Sequence, residues 1–370
     1  ERAESAAGKV QPTSASGKLL LVSSRAHLAN LYMHFGRLRD AAEAHGLNLK
    51  LLSGLNCPQA EAATRCSRGS VLLELGRHEA SLLDLEAAME TARRIGDLRT
   101  LCRARERLGE HHLQTGDLKA ALQIAQVSLQ EAKAIFEDMD AVPCLAQVDL
   151  SLGSVLALQG RADEANRFFE QAIERQEALE ALPELCESYL TRALFMAGEG
   201  RLVEAEFYLA RGEGLVSRAD CQPLYTLLYL VEGEIHLRKG RGKEGKGSFE
   251  KALAQARRLE SPHQEARALA GMGRAAQLEK DYDHAEILLS QALSIFRPMG
   301  ARGDIKAVSR ILQQLFLSRG DHARAEEMDR LAGRAGRPCD GRAEPETEAS
   351  GGVQDPPAFK AEIIKGLTRP

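Results

Sequence analysis

Apolar residues recur along most of this chain at helical spacing, in pairs of segments joined by a short turn. The stretch 150–174 shows the unit: LSLGSVLALQG is followed by RADEANRFFEQAIE. The i, i+3, i+4 spacing predicts two amphipathic helices. Gly160 between them suits the left-handed backbone conformation that commonly ends a helix. The pattern therefore predicts a helix, a tight turn and a second helix that packs back on the first.

The same unit occurs eight times, at a period of 40 residues that lengthens once to 44. Gly occupies the turn in every copy except the seventh, and the next residue is always Arg or Asp. The turn residues are Gly36, Gly76, Gly116, Gly160, Gly200, Gly240, Lys280 and Gly320. Such a period predicts a stack of helix pairs in which each repeat contacts its neighbours.

Small residues mark the points where two helices are expected to cross closely. Seven residues before the turn stand Ala29, Gly69, Gly109, Gly153, Ala193, Gly233, Gly273 and, in the last copy, Gln313. Five residues after the turn stand Ala41, Ser81, Ala121, Ala165, Ala205, Gly245, Ala285 and Ala325. A bulky side chain at such a crossing would overpack it. Larger residues further along the second helix are expected to fill the gap to the next repeat; examples are Leu85, Phe169, Phe249 and Leu289.

These positions together resemble the tetratricopeptide repeat, whose usual period is 34 residues. The 40-residue form is similar to that of the LGN/Pins-like polarity adaptors and of bacterial regulatory proteins that carry such arrays. The resemblance implies an all-α, right-handed α-solenoid of about eight helix pairs. Only Asn30 retains the Asn that LGN-type repeats show after the small crossing residue. The partners of that family are therefore not transferred to this chain.

The array is predicted to extend over residues 19–333, between a disordered segment 1–18 and a disordered tail 334–370. The eighth copy, with its polar Gln313, is interpreted as a terminal cap. The longer spacing around residues 136–143 indicates either a tolerated surface insertion or a loop that contacts a partner. The apolar cluster Phe359–Lys365 near the end of the chain is either a featureless part of the tail or a docking or self-inhibitory segment.

Composition narrows the class of function. The formal net charge of −4 carries no basic excess that would favour nucleic acid, and no apolar run is long enough to insert into a membrane. The seven cysteines are scattered without C-x-x-C spacing, which favours reduced thiols and a cytoplasmic location. The scarcity of aromatic residues, at 4%, suits helices packed through Ala and Leu.

No pattern typical of catalysis is present. Neither a phosphate-binding G-x-x-x-x-G-K-[ST] loop nor a G-x-S-x-G elbow occurs. His111 and His112 are adjacent, so on a helix their side chains point about 100° apart and do not readily chelate one ion. The sequence therefore predicts no enzyme activity, no metal and no cofactor.

The resemblance implies that the first helix of each repeat lines a concave groove. Its register places the groove-facing residues 13, 10, 6, 3 and 2 positions before each turn. In repeats two and three this predicts carboxylates at Glu74, Glu106 and Glu110 beside Arg103. The middle of the groove is predicted to be apolar and its last part basic, with Glu234 among the arginines there. The predicted partner-binding residues are Leu150, Leu158, Leu190, Leu194, Leu227, Leu230, Arg238, Arg267, Arg274 and Arg310. The six leucines would form an apolar floor of the groove, and an exposed floor of this kind would suit an amphipathic segment. Alternatively, the leucines pack against neighbouring first helices. The arginines, too, are either open to a partner or engaged within the chain.

These expectations favour a non-catalytic scaffold that binds a peptide or helical segment of a partner protein. The alternative is a regulatory or sensor region of a larger kinase, cyclase or transcription regulator. Self-association through the leucine floor is a third possibility.

Overall fold

A computed structural model describes residues 14–115 and 142–335, together with positions 120, 123, 124 and 127. The described residues form fifteen α-helices and no strand, and the chain is an all-α solenoid. The helices are α1 Ala15–His34, α2 Leu38–Leu52, α3 Pro58–Glu74, α4 His78–Ile95, α5 Leu98–Thr115, α6 Val142–Leu158, α7 Ala162–Ala178, α8 Leu182–Gly198, α9 Leu202–Ala219, α10 Gln222–Arg238, α11 Gly242–Arg258, α12 Pro262–Leu278, α13 Tyr282–Met299, α14 Arg302–Ser318 and α15 His322–Ala335.

The ends of the array differ slightly from the predicted boundaries. Helix α1 begins at Ala15 because the Ser14 side chain accepts a hydrogen bond from the Gly17 N–H at 3.1 Å and caps the first turn. Helix α15 continues to Ala335. Several predictions lie outside the described residues: disorder in 1–13 and 336–370, the turn at Gly116, most of the longer loop, and the cluster Phe359–Lys365.

The turn within each described repeat closes as the sequence predicts. At Gly36, φ is +74°, and the N–H groups of Gly36 and Arg37 donate to the carbonyls of Met33 and Tyr32 at 2.9 and 2.7 Å. These bonds satisfy two carbonyls at the end of the first helix. Lys280 adopts the same region, with φ +63°, so the seventh repeat keeps the turn without a glycine.

Small residues at the helix crossings allow the close approach that the sequence predicts. A β-carbon on Gly153 would lie 2.9 Å from the ring of Phe169, in the second helix of the same repeat. Phe249 is wedged between two repeats. A β-carbon on Gly233 would lie 2.8 Å from its ring, and one on Gly271 in the next repeat would clash with it. Large side chains thus fill the space inside a repeat as well as the gap to the next one.

The first helices form the inner layer of the solenoid. Successive first helices contact one another, as α3 does α5, α6 does α8, α8 does α10 and α10 does α12. No comparable contact joins the second helices of successive repeats within the described ranges. Residues of the first helices therefore lie on the crowded, concave side, where the candidate groove is located.

The array also winds far enough to contact itself. The turn of repeat one meets the end of repeat six, and a β-carbon on Gly36 would clash with Leu259. The turn of repeat two meets the end of repeat seven in the same way, Gly76 against Met299. Helix α5 of repeat three also touches α14 of repeat eight. Each described contact joins repeats five positions apart, so it reflects the pitch of one superhelical turn.

Histidines are concentrated near this contact. The rings of His78 and His111 are 5.6 Å apart between centroids, and His263 Nε2 lies 3.0 Å from Asp304 Oδ2. Burial lowers the pKa of His78 to about 4, with a smaller effect from His263, and burial also lowers the pKa of His111 to about 4. Both imidazoles are therefore neutral at neutral pH.

Candidate functional site

Carboxylates from three repeats converge on one arginine in the concave groove. Arg107 on α5 donates to Glu110 at 2.7 Å and lies 3.3 Å from Glu106. Glu74 at the end of α3 and Glu187 on α8 lie within electrostatic range of the same guanidinium. The side chains of Glu106, Arg107 and Glu110 are partly exposed, so the cluster is open to the groove. We call these five residues the acidic cluster.

Negative charge in the acidic cluster is only partly compensated. Burial, reinforced by Glu110, raises the pKa of Glu74 to about 7. Burial likewise raises the pKa of Glu187 to about 7, although Arg107 opposes it. The pKa of Arg107 is itself raised, chiefly by Glu106. Arg103 and Arg267, at the edge of the cluster, lower the pKa values of Glu106 and Glu74 respectively. They do not offset burial, so a further cation would stabilise the ionised carboxylates.

Glu234 on α10 has the opposite surroundings. It pairs with Arg274 of repeat seven at 2.7 and 3.2 Å and with Arg238 of its own helix at 3.0 Å. Arg238 also donates to the carbonyls of Ala197 and Gly198, at 3.1 and 3.3 Å. Burial alone would raise the pKa of Glu234, but the two guanidiniums outweigh it and hold that pKa at about 2. This arrangement, the Glu234 clamp, ties repeats five, six and seven together.

Half of the predicted leucine floor lies in the core. Leu150, Leu190 and Leu230 are buried, so they are not exposed to a ligand in this conformation. The alternative interpretation, packing against neighbouring helices, applies to these three. The physical reason is that the first helices approach each other closely at that register. Leu158, Leu194 and Leu227 are only partly buried against the same core, and their contact with a partner stays a prediction.

The predicted arginines divide in a similar way. Arg238 and Arg274 both form ion pairs with Glu234, which offsets part of the positive charge of the groove in repeats six and seven. Arg267 lies near Glu74 and belongs to the margin of the acidic cluster. Arg310 is half-buried and makes no hydrogen bond or ion pair within the described part of the chain. A role for these arginines in binding a partner also remains a prediction.

Two members of the acidic cluster are absent from the sequence prediction. Glu187 occupies the groove register thirteen residues before its turn, as Arg103 does in repeat three, so its position in the pattern could have identified it. Arg107 lies outside that register, and no signal in the sequence distinguishes it from other surface arginines. The predicted Glu74, Glu106 and Glu110 are brought together.

The described residues were also searched for a metal site, a disulfide bond and a membrane-spanning helix. No group of three or more His, Cys, Asp or Glu side chains is placed to hold a metal ion in the portion of the chain described above. Cys57, Cys66, Cys102, Cys186 and Cys221 form no disulfide bond. Over the same residues, no helix combines the length and apolar character needed to cross a bilayer.

The comparison with protein families identifies the repeat. Residues 225–297, which span repeats six and seven, match the family model described as tetratricopeptide repeat. No curated protein matches the sequence. The repeat type predicted from the turn and crossing residues is therefore confirmed, whereas the 40-residue subtype stays a prediction.

Similar folds occur among solved structures. The Rap conjugation gene regulator of the plasmid pLS20, in complex with the Phr* peptide, aligns with a TM-score of 0.57 at 14% identity, over 85% of this chain and 94% of that one. A Rap protein complexed with competence and sporulation factor gives 0.56 at 10%, over 85% and 97%. A STAND signal-transduction ATPase with a tetratricopeptide repeat sensor, from Pyrococcus horikoshii, gives 0.51 at 13%, over 79% and 46%. At these identities the likeness concerns the fold.

Proposed function

We propose that this chain, which carries tetratricopeptide repeats, is a non-catalytic scaffold that binds a peptide or helical segment of a partner protein in its concave groove. The segment would place a Lys or Arg side chain, or its own amino terminus, in the acidic cluster. Two of the similar folds were solved in complex with competence and sporulation factor or with the Phr* peptide. That similarity supports a ligand of this class without identifying it.

The observation that carries the proposal is the excess of carboxylate over guanidinium in the acidic cluster. Folding brings Glu74 and Glu187 near each other although they are far apart in sequence, and their raised pKa values show that their ionised forms are disfavoured there. Natural proteins tolerate such unfavourable charge most often at functional sites. A cationic side chain would add a charge-assisted hydrogen bond and relieve the repulsion at once.

Apolar contacts would supply the rest of the affinity. Leu158, Leu194 and Leu227 are partly exposed on first helices of repeats four to six. Burying an apolar side chain against them stabilises a complex by roughly 25 cal/mol per Å² before the costs of association. The acidic cluster would then fix the orientation of the ligand more than its affinity.

The test begins with random peptides displayed on phage and selected on the full-length chain. We expect the selected peptides to contain Lys or Arg next to apolar residues. Binding of a selected peptide, measured by fluorescence anisotropy, should weaken about tenfold in Glu106→Gln or Glu187→Gln, since a hydrogen bond to a charged group is worth about 1.5 kcal/mol. Leu194→Asp should weaken it as well.

The matched control is Glu90→Gln, which removes a carboxylate from the exposed side of α4 and should leave binding unchanged. Leu190→Asp is unsuitable because Leu190 is fully buried and its replacement would unfold the array. Selection that yields no binder, or binders equally sensitive to Glu90→Gln and Glu187→Gln, would contradict the proposal.

The STAND similarity favours a second candidate, a sensor region within a larger signalling protein, because this chain aligns with 46% of that one. Both candidates use the same groove. The complete open reading frame distinguishes them: a kinase, cyclase, ATPase or DNA-binding sequence in the same polypeptide favours the sensor.

A further inference from the structure

The contact that the array makes with itself has two complementary surfaces, and both recur along the chain. We define the turn face of a repeat as its turn residue with the residues three and seven positions later. In repeat one these are Gly36, Arg39 and Glu43. We define the end face as the residues nineteen and twenty-two positions after the turn. In repeat six these are Leu259 and Pro262.

The structure shows how the two faces fit. Leu259 occupies the space beside Gly36 that any β-carbon would fill. Arg39 pairs with Glu260 at 2.8 Å. The side chains of Arg39, Glu43, Glu260 and Pro262 line one cleft, which repeat two also borders. The turn face of repeat one therefore receives the end face of repeat six.

Within the described residues, the turns of repeats five and six have no such contact, since a β-carbon on Gly200 or Gly240 would meet nothing within 4 Å. Gly36 and Gly76 are buried under repeats six and seven, whereas Gly160, Gly200 and Gly240 are exposed. The residue nineteen positions after the turn is apolar in every repeat: Leu55, Ile95, Ile135, Leu179, Ala219, Leu259, Met299 and Cys339. An apolar residue retained at a position that is partly exposed in several repeats indicates a contact that other repeats can also make.

The turn face of repeat five and the end face of repeat two each carry two exposed apolar side chains. The turn face of repeat five carries Val203 and Phe207, which are 82% and 56% exposed beside Gly200. The end face of repeat two carries Ile95 and Leu98, each 37% exposed. Repeat one has charged residues where repeat five has these two apolar ones. The superhelical pitch would place a tenth repeat, two beyond the eight of this sequence, opposite repeat five.

We propose that a second copy of this chain supplies the missing repeats. Its repeat two would stand in place of repeat ten and dock Ile95 and Leu98 on Gly200, Val203 and Phe207 of the first copy. Its repeat one would at the same time bring Leu55 to Gly160. A second copy is the expected partner because the proposed contact repeats the one that the chain already makes between its own repeats five positions apart. Such a contact is head-to-tail, and it extends into an open chain of copies because each copy keeps one unused face of each kind.

The experiment is sedimentation velocity on the full-length chain over a wide range of concentration. We expect the average mass to rise with concentration past that of a dimer. Val203→Glu with Phe207→Glu blocks the turn face, and Ile95→Asp with Leu98→Glu blocks the end face. Each double variant should weaken association about tenfold or more, since it replaces apolar contact with charge. Circular dichroism checks that each remains helical.

An equimolar mixture of the two double variants gives the decisive result. Each retains the face that the other lacks, so the mixture should form a one-to-one dimer and nothing larger. The matched control is Leu83→Glu. Leu83 is 69% exposed at the register position of Phe207, but the turn face of its repeat is already occupied by Met299. It should associate as the parent chain does.

The proposal would be overturned by a parent chain that is monomeric at every concentration, by association equally sensitive to Leu83→Glu, or by a variant mixture that does not recover the dimer. A closed dimer of the parent chain would also overturn it, because a head-to-tail contact of this pitch leaves its ends open.

Discussion

Glu234 and Glu187 both lie on first helices at register positions predicted to face the groove, yet their carboxyl groups have opposite surroundings. Glu234 is held between two guanidiniums and its pKa falls to about 2. Glu187 shares one guanidinium with three other carboxylates, and burial raises its pKa to about 7. The first carboxylate is fully compensated within the chain, and the second is only partly compensated.

The Glu234 clamp and the acidic cluster differ in how far their carboxylates are compensated by guanidinium groups. In the Glu234 clamp, each guanidinium finds its partner in the same or the adjacent repeat, so the arrangement is local and stabilising. The acidic cluster draws on repeats two, three and five and leaves carboxylate in excess. A basic late groove was expected from the sequence, but the structure shows that Glu234 neutralises Arg238 and Arg274.

The largest expected effect is the loss of stability in Glu234→Gln. The substitution leaves two guanidiniums without a counter-charge near a side chain that is 11% exposed, and it should lower the free energy of unfolding by about 3 kcal/mol. Urea denaturation at pH 7 measures it. Since the pKa of Glu234 is lowered, its stabilisation is present above the ordinary value of 4.5 and is lost as pH falls toward 2. The variant should therefore lack that part of the acid sensitivity.

The control for this prediction is Glu164→Gln. Glu164 accepts two short hydrogen bonds from Arg161 at 2.7 and 2.6 Å, but both side chains are exposed. Removing its charge should cost far less, because surface ion pairs contribute little. Equal losses in the two variants would show that burial does not distinguish the clamp from a surface pair.

A smaller effect of the opposite sign is expected for Glu187→Gln. The pKa of Glu187 is raised, so in the parent chain its contribution is favourable below pH 4.5 and is lost as pH rises through about 7. Removing the charge should stabilise the array by roughly 1 kcal/mol at pH 8, a value reduced from the full shift because the groove is solvated. Denaturation at pH 4 and pH 8 tests this: the gain should appear only at the higher pH. A loss of stability at pH 8 would show that Glu187 is already compensated.

The sequence pattern predicts the helices and turn of one repeat, but it says little about how successive repeats are arranged in the superhelix. The turn glycines and small crossing residues depend on contacts within a repeat, and the sequence predicted the turns and the close helix crossings. It assigned Phe169 only to the gap to the next repeat, whereas Phe169 also packs on Gly153 of its own repeat. The buried positions of Leu190 and Leu230 depend on how tightly successive first helices pack. A periodic register does not reveal that distance.

Contacts between distant repeats were harder still to predict. The pairing of Gly36 with Leu259 and the approach of Glu187 to Glu74 are set by the pitch of the array. Pitch is the sum of small rotations from one repeat to the next. An error of a few degrees per repeat would move these groups apart, so a local pattern predicts which residues face the groove but not which of them meet.

The smallest expected effect distinguishes the two regions by their response to salt. The Debye length falls from about 10 Å at 0.1 M to about 3 Å at 1 M. Repulsion among the partly solvated carboxylates of the acidic cluster should be screened, so the advantage of Glu187→Gln at pH 8 should fall by about 0.5 kcal/mol between these salt concentrations. The cost of Glu234→Gln should change less, because Glu234 and its two arginines are in direct, buried contact. Urea denaturation of both variants and the parent chain at the two salt concentrations measures this difference. If salt reduces both effects equally, the clamp is as solvated as the cluster and the distinction between structural and binding charge does not hold.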